Sequence, residues 1–219
     1  MGGLVPTEES RKRAAPRRKR TAILAAAARL FYEKGFEATS IQEVAEACGL
    51  TKAGLYHHIR SKEDLLLEVI LSGLDAFEAQ VVRPALQMSE PLARLRTWIA
   101  AHIGLIHQPA HREATVIIHE RSSLPEPVRE RVRARKRRLV RTLEGLLREA
   151  QAARQVRATV SPKVAAFALI GMVLWTSRWY RPEGPLSRDR LAQEMCELFL
   201  HGLATPSRLP PAGWGTPSA

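Results

Sequence analysis

Thr51, Lys52, Ala53 and Gly54 follow directly on the turn Cys48-Gly49-Leu50 and open a short helical segment. Side chains at the start of such a helix reach base edges when it lies in a DNA major groove. There a lysine ammonium donates to guanine O6 or N7, and a glycine lets the backbone come close. Lys62, with the first N–H groups of the helix that Ser61 opens, makes an anion site through the helix dipole. His107 and His111 stand four apart, the spacing of a helical metal pair, with His102 and His119 as further donors. Pro109 breaks the helix between them, so no metal is expected. There is no nucleophile elbow, glycine-rich phosphate loop or metal-spaced carboxylate set, and His119 beside Glu120 is too little to build on. The chain therefore reads as a binding protein, not an enzyme, with no cofactor.

Helices must position these groups. Ile23, Ala27, Leu30 and Phe31 lie on one stripe that Gly35 ends. Ser40-Ile41-Gln42-Glu43 is a capping box for a second helix with Val44, Ala45 and Cys48 inward, and Gly49 stops it. Thr51 to Ile59 is a third helix with Leu55 and Ile59 on its inner face. Ser61-Lys62-Glu63-Asp64 is a further capping box. Ala45 and Gly49 allow the close crossing and sharp turn of a helix-turn-helix at about 41–60, although any αα-corner can show that pair. Later helices span Leu92 to His107, Ala114 to Arg121, Pro127 to about Ala153, Ser161 to about Tyr180, and Ser187 to Leu203. No window alternates like a strand, so the fold class is all-α.

The chain has 219 residues, 45% hydrophobic and 26% charged, a balance that excludes wholesale disorder and fibres. Its 34 Lys+Arg against 22 Asp+Glu leave a formal charge of +12, which points to a polyanionic partner. Charge alone also fits a non-specific architectural DNA-binding protein, which would cover DNA uniformly. Two cysteines are too few for a disulfide framework or a zinc site. The longest apolar run, Val164 to Trp175, is shorter than the roughly 20 residues that span a bilayer. With no secretory leader in its first residues, the chain is expected in the cytoplasm, away from membranes. Residues 1–19 are expected to be a flexible basic arm, either following the phosphate backbone or simply solvated. Residues 20–66 form the DNA-binding domain, 67–204 a second helical domain, and 205–219 a disordered, proline-rich tail.

The ordered series Ile23-Leu24-Ala25-Ala26-Ala27, Phe31-Tyr32-Glu33-Lys34-Gly35-Phe36, Thr39-Ser40-Ile41, Val44-Ala45, Cys48-Gly49-Leu50, Leu55-Tyr56-His57-His58 and Ser61-Lys62-Glu63-Asp64-Leu65 resembles the DNA-binding domain of the TetR family of repressors. Two departures are Ala53-Gly54, where the family has Gly then a small residue, and Ile59 in place of Phe. The resemblance implies a dimer on a palindromic operator, released by a small-molecule effector. It places Thr39, Ser40, Tyr56, His57 and Lys62 near phosphate oxygens, contacts that fix register without reading sequence.

Two recognition helices must stand about 34–36 Å apart, so a homodimer is required. Phe167, Ile170 and Leu174 of the very apolar helix, with Leu191, Met195, Leu198 and Phe199 of the last one, are its expected interface; an interior position in a monomer is the alternative. The segment from Trp175 to Ser187, with His119-Glu120 and Ser122 to Pro125, resembles a TetR subgroup that responds to acyl-coenzyme A thioesters. Such a ligand needs an apolar tunnel with a basic mouth. Trp98, His102, Trp175, Arg178, Trp179, Arg133 and Arg137 are the candidates to hold it, against the plainer reading that the arginines are a wet helix face and the aromatics core or interface.

Overall fold

The structure, a computed structural model, describes residues 8–108 and 126–201, and among these every regular element is helical. Helix α1 (Glu8–Lys34) buries Ile23, Ala27, Leu30 and Phe31 and ends at Gly35, whose φ of +86° is the left-handed conformation a helix C-terminus favours. Helix α2 (Ile41–Ala47) opens on the expected capping box. Ser40 Oγ accepts from the Glu43 N–H at 3.2 Å, and the Glu43 carboxylate accepts from the Ser40 N–H at 2.7 Å. Helix α3 (Lys52–Tyr56) stops short of Ile59, and α4 (Lys62–Phe77) starts from Ser61, whose hydroxyl accepts from the Asp64 N–H at 3.1 Å. Phe31, Val44, Ala45, Leu55, Ile59 and Leu65 close one core between these four helices. That core continues along α4 to Leu74, so the head extends past residue 66.

A π-helical turn (Glu78–Val82) and α5 (Arg83–Gln87) follow α4. Pro84 has no N–H to donate, so the regular ladder cannot run through it, and the π turn lies just ahead of it. Helices α6 (Pro91–Ile106), α7 (Glu126–Ala152), α8 (Pro162–Trp179) and α9 (Arg188–His201) build the second core, with α6 touching α5, α7, α8 and α9. Trp98, Ile99, Ile103, Leu143, Leu146, Leu169 and Val173 are its centre.

Helix α7 belongs to both cores. Val132 is buried in the first with Val128 against it, Leu143, Leu146, Leu147 and Ala150 lie in the second, and Leu139 touches each. Arg135 pairs with Asp75 and, at 3.2 Å, with Glu78, to which Arg138 reaches at 3.4 Å; these pairs join α7 to the end of α4 and the start of the π turn.

The basic arm departs from expectation: it is helix from Glu8, continuous with α1. Its sequence lacks an apolar stripe, but alanines and straight-chain Arg, Lys and Glu residues dominate it, and these are strong helix formers. The proline-rich tail and the short helix at Ala114 to Arg121 lie outside the described residues.

Gly49 sits at φ +64°, with its N–H bonded to Glu46 O at 3.0 Å and the Leu50 N–H to Ala45 O at 2.9 Å. A Cβ there would meet nothing within 4 Å, so backbone strain is the whole penalty. Gly49→Ala is expected to cost about 1 kcal/mol in urea unfolding, and Gly49→Asn less, because asparagine tolerates the left-handed region.

Candidate nucleic-acid interface and effector site

Helix α3 presents its polar end outward. Thr51 caps it, its Oγ1 accepting from the Gly54 N–H at 3.0 Å, while Leu55 is fully buried and anchors the segment. Lys52, Ala53 and His57 are exposed, and Tyr56 is 47% exposed, which removes it from the core. A Cβ on Gly54 would lie 3.1 Å from Thr51 Oγ1, so glycine at this position also lets the cap close. The exposed edge thus combines one ammonium, a phenol, an imidazole and unhindered backbone, the equipment for base edges and phosphates.

Ser40 is exposed at the start of α2, beside Glu43, which the Lys34 ammonium at 2.5 Å and the Ser40 N–H hold down at about 2. Lys62 is committed to structure as well as charge: its Nζ donates to Glu37 O at 3.1 Å and lies 4.4 Å from the centre of the Phe36 ring. Arg20 ties α1 to the same region, donating to His58 O at 3.3 Å and pairing with Glu68 at 2.5 Å. Thr39 corrects the expectation of a phosphate contact. It is 1% exposed, and its hydroxyl lies 2.8 Å from Gly35 O and 3.2 Å from Leu30 O, so it donates to the backbone at the end of α1 and faces inward.

The effector candidates separate into three groups. Trp98 and His102 lie one turn apart on α6, 1% and 3% exposed, and both rings meet the edge or face of Phe77 at centroid distances of 5.5 and 4.8 Å. Trp98 Nε1 and His102 Nδ1 are buried without a hydrogen-bond partner, and burial pushes the imidazole down to about 4. Trp175, Arg178 and Trp179, by contrast, stand on the outer side of α8, with Trp175 66% exposed, so this chain alone does not gather them with Trp98. Arg133 reaches Glu126 and Glu130 at 3.2 Å each, and Arg137 pairs with Glu130, so both arginines already have carboxylate partners on their own helix.

The expected interface residues also divide. Phe167 (54% exposed) and Leu198 are open, with Ile170, Leu174 and Phe199 partly covered, and Val164 and Trp175 extend the same apolar surface. Leu191 and Met195 are buried in the second core, where they seat α9, and are removed from the interface. His107, at 2.8 Å from Thr176 Oγ1, lines a cavity of about 310 Å³ with Tyr180 and the start of α9; His111 and His119 lie outside the described residues. Phe77 and the π turn have no place in the sequence reading. Pro84 inside a helical run was the available signal for the last.

A capped, outward-facing α3 held on a three-helix head, joined through α4 to a helical domain, defines a helix-turn-helix DNA-binding regulator. Residues 23–69 match the family model for bacterial regulatory proteins of the tetR family, and residues 88–203 the tetracyclin repressor-like C-terminal domain. The chain belongs to the TetR family: it is a transcriptional regulator with operator DNA and a small-molecule effector as partners, and not an enzyme. It is similar to AibR, whose structure in complex with isovaleryl coenzyme A and operator DNA superposes with a TM-score of 0.77 at 39% identity, covering 83% of this chain and 98% of that one. The TetR-family regulator PfmR from Thermus thermophilus superposes at 0.75 with 35% identity over 84% of this chain and 99% of that one. The transcriptional repressor KstR2 of Mycolicibacterium smegmatis is 28% identical over 194 residues, 86% of this chain and 92% of its own. Among the described residues no helix is long and apolar enough to cross a membrane.

Replacing Lys52 or Tyr56 by alanine is expected to weaken operator binding by about 1–3 kcal/mol in a gel-shift titration, with stability unchanged because both side chains are exposed. His102 sets a pH dependence of folding. The unfolded chain takes up its proton as pH falls through 6.5, the folded one only near 4, so stability drops as pH is lowered between these values. His102→Phe is expected to flatten that limb of the melting temperature against pH.

Proposed function

We propose that this regulator is a homodimeric repressor that grips a palindromic operator and is released by an acyl-coenzyme A thioester. The observation that carries the DNA half is the exposed edge of Lys52, Ala53, Tyr56 and His57 on a helix that the buried Leu55 anchors to the head. Two such edges about 34–36 Å apart require two copies, and the uncovered apolar surface of α8 with Leu198 is the face on which a second copy fits. Trp175, Arg178 and Trp179 stand on that face, so they take part in effector binding only where the copies meet. A repressor of a chromosomal operator works in the cytoplasm.

The effector half rests on chemistry and on likeness. A thioester joins an apolar acyl chain to a phosphorylated nucleotide. The second core offers buried aromatic surface at Trp98 and Phe77, and α7 offers arginines. Arg133 and Arg137 form exposed ion pairs of small net value, which a phosphate can replace with bidentate contacts. AibR holds isovaleryl coenzyme A and operator DNA in one crystal. In that protein the two sites are therefore distinct, and by analogy release here is a finite coupling. A value of about 1–3 kcal/mol changes operator occupancy by roughly 5–150-fold.

The test is a footprint and gel shift on the operator, with and without isovaleryl coenzyme A. A discrete two-fold footprint that weakens about 5–150-fold on adding the thioester is expected; uniform coverage or no response overturns this reading. Phe167→Glu, with its charge in the centre of the apolar face, is expected to give monomers in sedimentation and to lose the two-fold footprint.

A further inference from the structure

Trp98 Nε1–H can only donate, and a neutral imidazole with its hydrogen on Nδ1 is a second donor one helical turn away. Both atoms are buried without a hydrogen-bond partner, in an apolar cluster that includes Leu95, Ile99 and Ile103 and with the Phe77 ring against each of them. Apolar residues of similar shape would have spared the fold this cost, so the pair needs an explanation from something that binds. Burial keeps His102 neutral at physiological pH, so the missing group is an uncharged or weakly charged acceptor and not a carboxylate held by an imidazolium. Two donors one helical turn apart, both against the Phe77 ring in apolar surroundings, suit a carbonyl oxygen, with its two lone pairs, at the head of an apolar chain.

We infer that Trp98 and His102 receive the acyl carbonyl oxygen of the effector, and that Phe77 passes the result to the DNA head. This rests on the acyl-coenzyme A reading above. Phe77 is the last residue of α4 and packs against both donor rings, at interplanar angles of 70° to Trp98 and 86° to His102. An oxygen that draws the two rings together changes the wedge on which Phe77 rests. The π turn that follows Phe77 is already an irregular ladder, so α4 shifts there at less cost than in a regular helix. The other end of α4 carries Lys62, which holds the loop at Phe36 and Glu37, so movement of this helix reaches the reading head.

The test uses full-length protein labelled with ¹⁵N, and isovaleryl coenzyme A as the probe. The chain has four tryptophans, so four indole N–H signals are present, each assigned by its own Trp→Phe replacement. The Trp98 signal is expected to move downfield with the probe and to stay in place with free coenzyme A, which lacks the acyl carbonyl. Trp98→Phe and His102→Phe, each checked as folded by circular dichroism, are expected to lower probe affinity about tenfold. Phe77→Leu is expected to bind the probe within about threefold of the parent while losing most of its effect on operator binding. If the parent protein binds no isovaleryl coenzyme A, the acyl-coenzyme A reading and this inference fall together. Binding that leaves the Trp98 signal and the variant affinities unchanged overturns this inference alone and assigns the pair to a trapped water. A Trp98 shift with free coenzyme A overturns the acyl carbonyl as the acceptor.

Discussion

The helix α4 is buried by two different cores, and every functional statement about this regulator depends on that arrangement. Leu65, Leu66, Val69, Ile70 and Leu74 lock most of its length into the DNA head, whereas Phe77 at its end packs into the other core. A regular helix rises about 1.5 Å per residue and does not compress, so its ends move together. The head therefore cannot hold one orientation while the core around Trp98 takes another. An effector bound between α6 and the end of α4, as proposed above, would act on the spacing of two recognition helices without touching DNA. Mechanical continuity of this kind is a two-ended constraint: operator binding that fixes α4 also biases the core, as linkage requires.

Helix α7 decides how stiff the constraint is. Its contacts with the head are a few apolar side chains, Val128, Val132 and Leu139, and the ion pairs of Arg135 and Arg138 with Asp75 and Glu78. Asp75 and Arg138 are largely exposed, and exposed pairs are worth about 0–1 kcal/mol each. Burial of a single aliphatic side chain contributes about 1.5–3 kcal/mol. The apolar contacts therefore hold α7 on the head, and the ion pairs set its register. A junction of a few such contacts is strong enough to keep the domains as one unit. The proposed effector preference of about 1–3 kcal/mol is smaller than this hold, so it would tilt the junction and not part it. A larger shared core would have joined the domains rigidly and made the effector irrelevant to DNA.

The elements legible in the sequence were those written in local chemistry. The Ser40 box, the Ser61 cap and the glycines at 35 and 49 each announce a helix end through a bond or a dihedral that neighbours alone determine. Residue types at sites were legible too, but orientation was less so. A threonine next to a capping serine reads equally well as a phosphate ligand or as an inward cap. Only the position of Leu30 O and Gly35 O, supplied by the end of another helix, makes Thr39 the second. The last helix shows the same limit. Leu191, Met195 and Leu198 form one apolar stripe, yet a stripe does not say which side of it faces α6 and which faces outward. Phe77 was invisible because its role arises from contacts between segments far apart in the chain, whereas the π turn had a local sign in Pro84.

The uncovered surface of α8 argues against this chain as a lasting monomer. Val164, Phe167, Trp175 and Trp179 are all large, apolar and roughly half exposed or more, and they recur along one helix. Single apolar residues on a surface are ordinary, but a contiguous patch of this size is a mark of an interface. Retaining two tryptophans there works against solubility unless another surface covers them. The residues that hold α9 in place, Leu191 and Met195, point the same way: they finish the inner core without help from α8's outer side. What α8 leaves open is thus surplus to the fold of one copy. A second copy related by two-fold symmetry would bring like patches together and set the two reading heads at a fixed separation, which a palindromic operator demands and a lone head cannot meet.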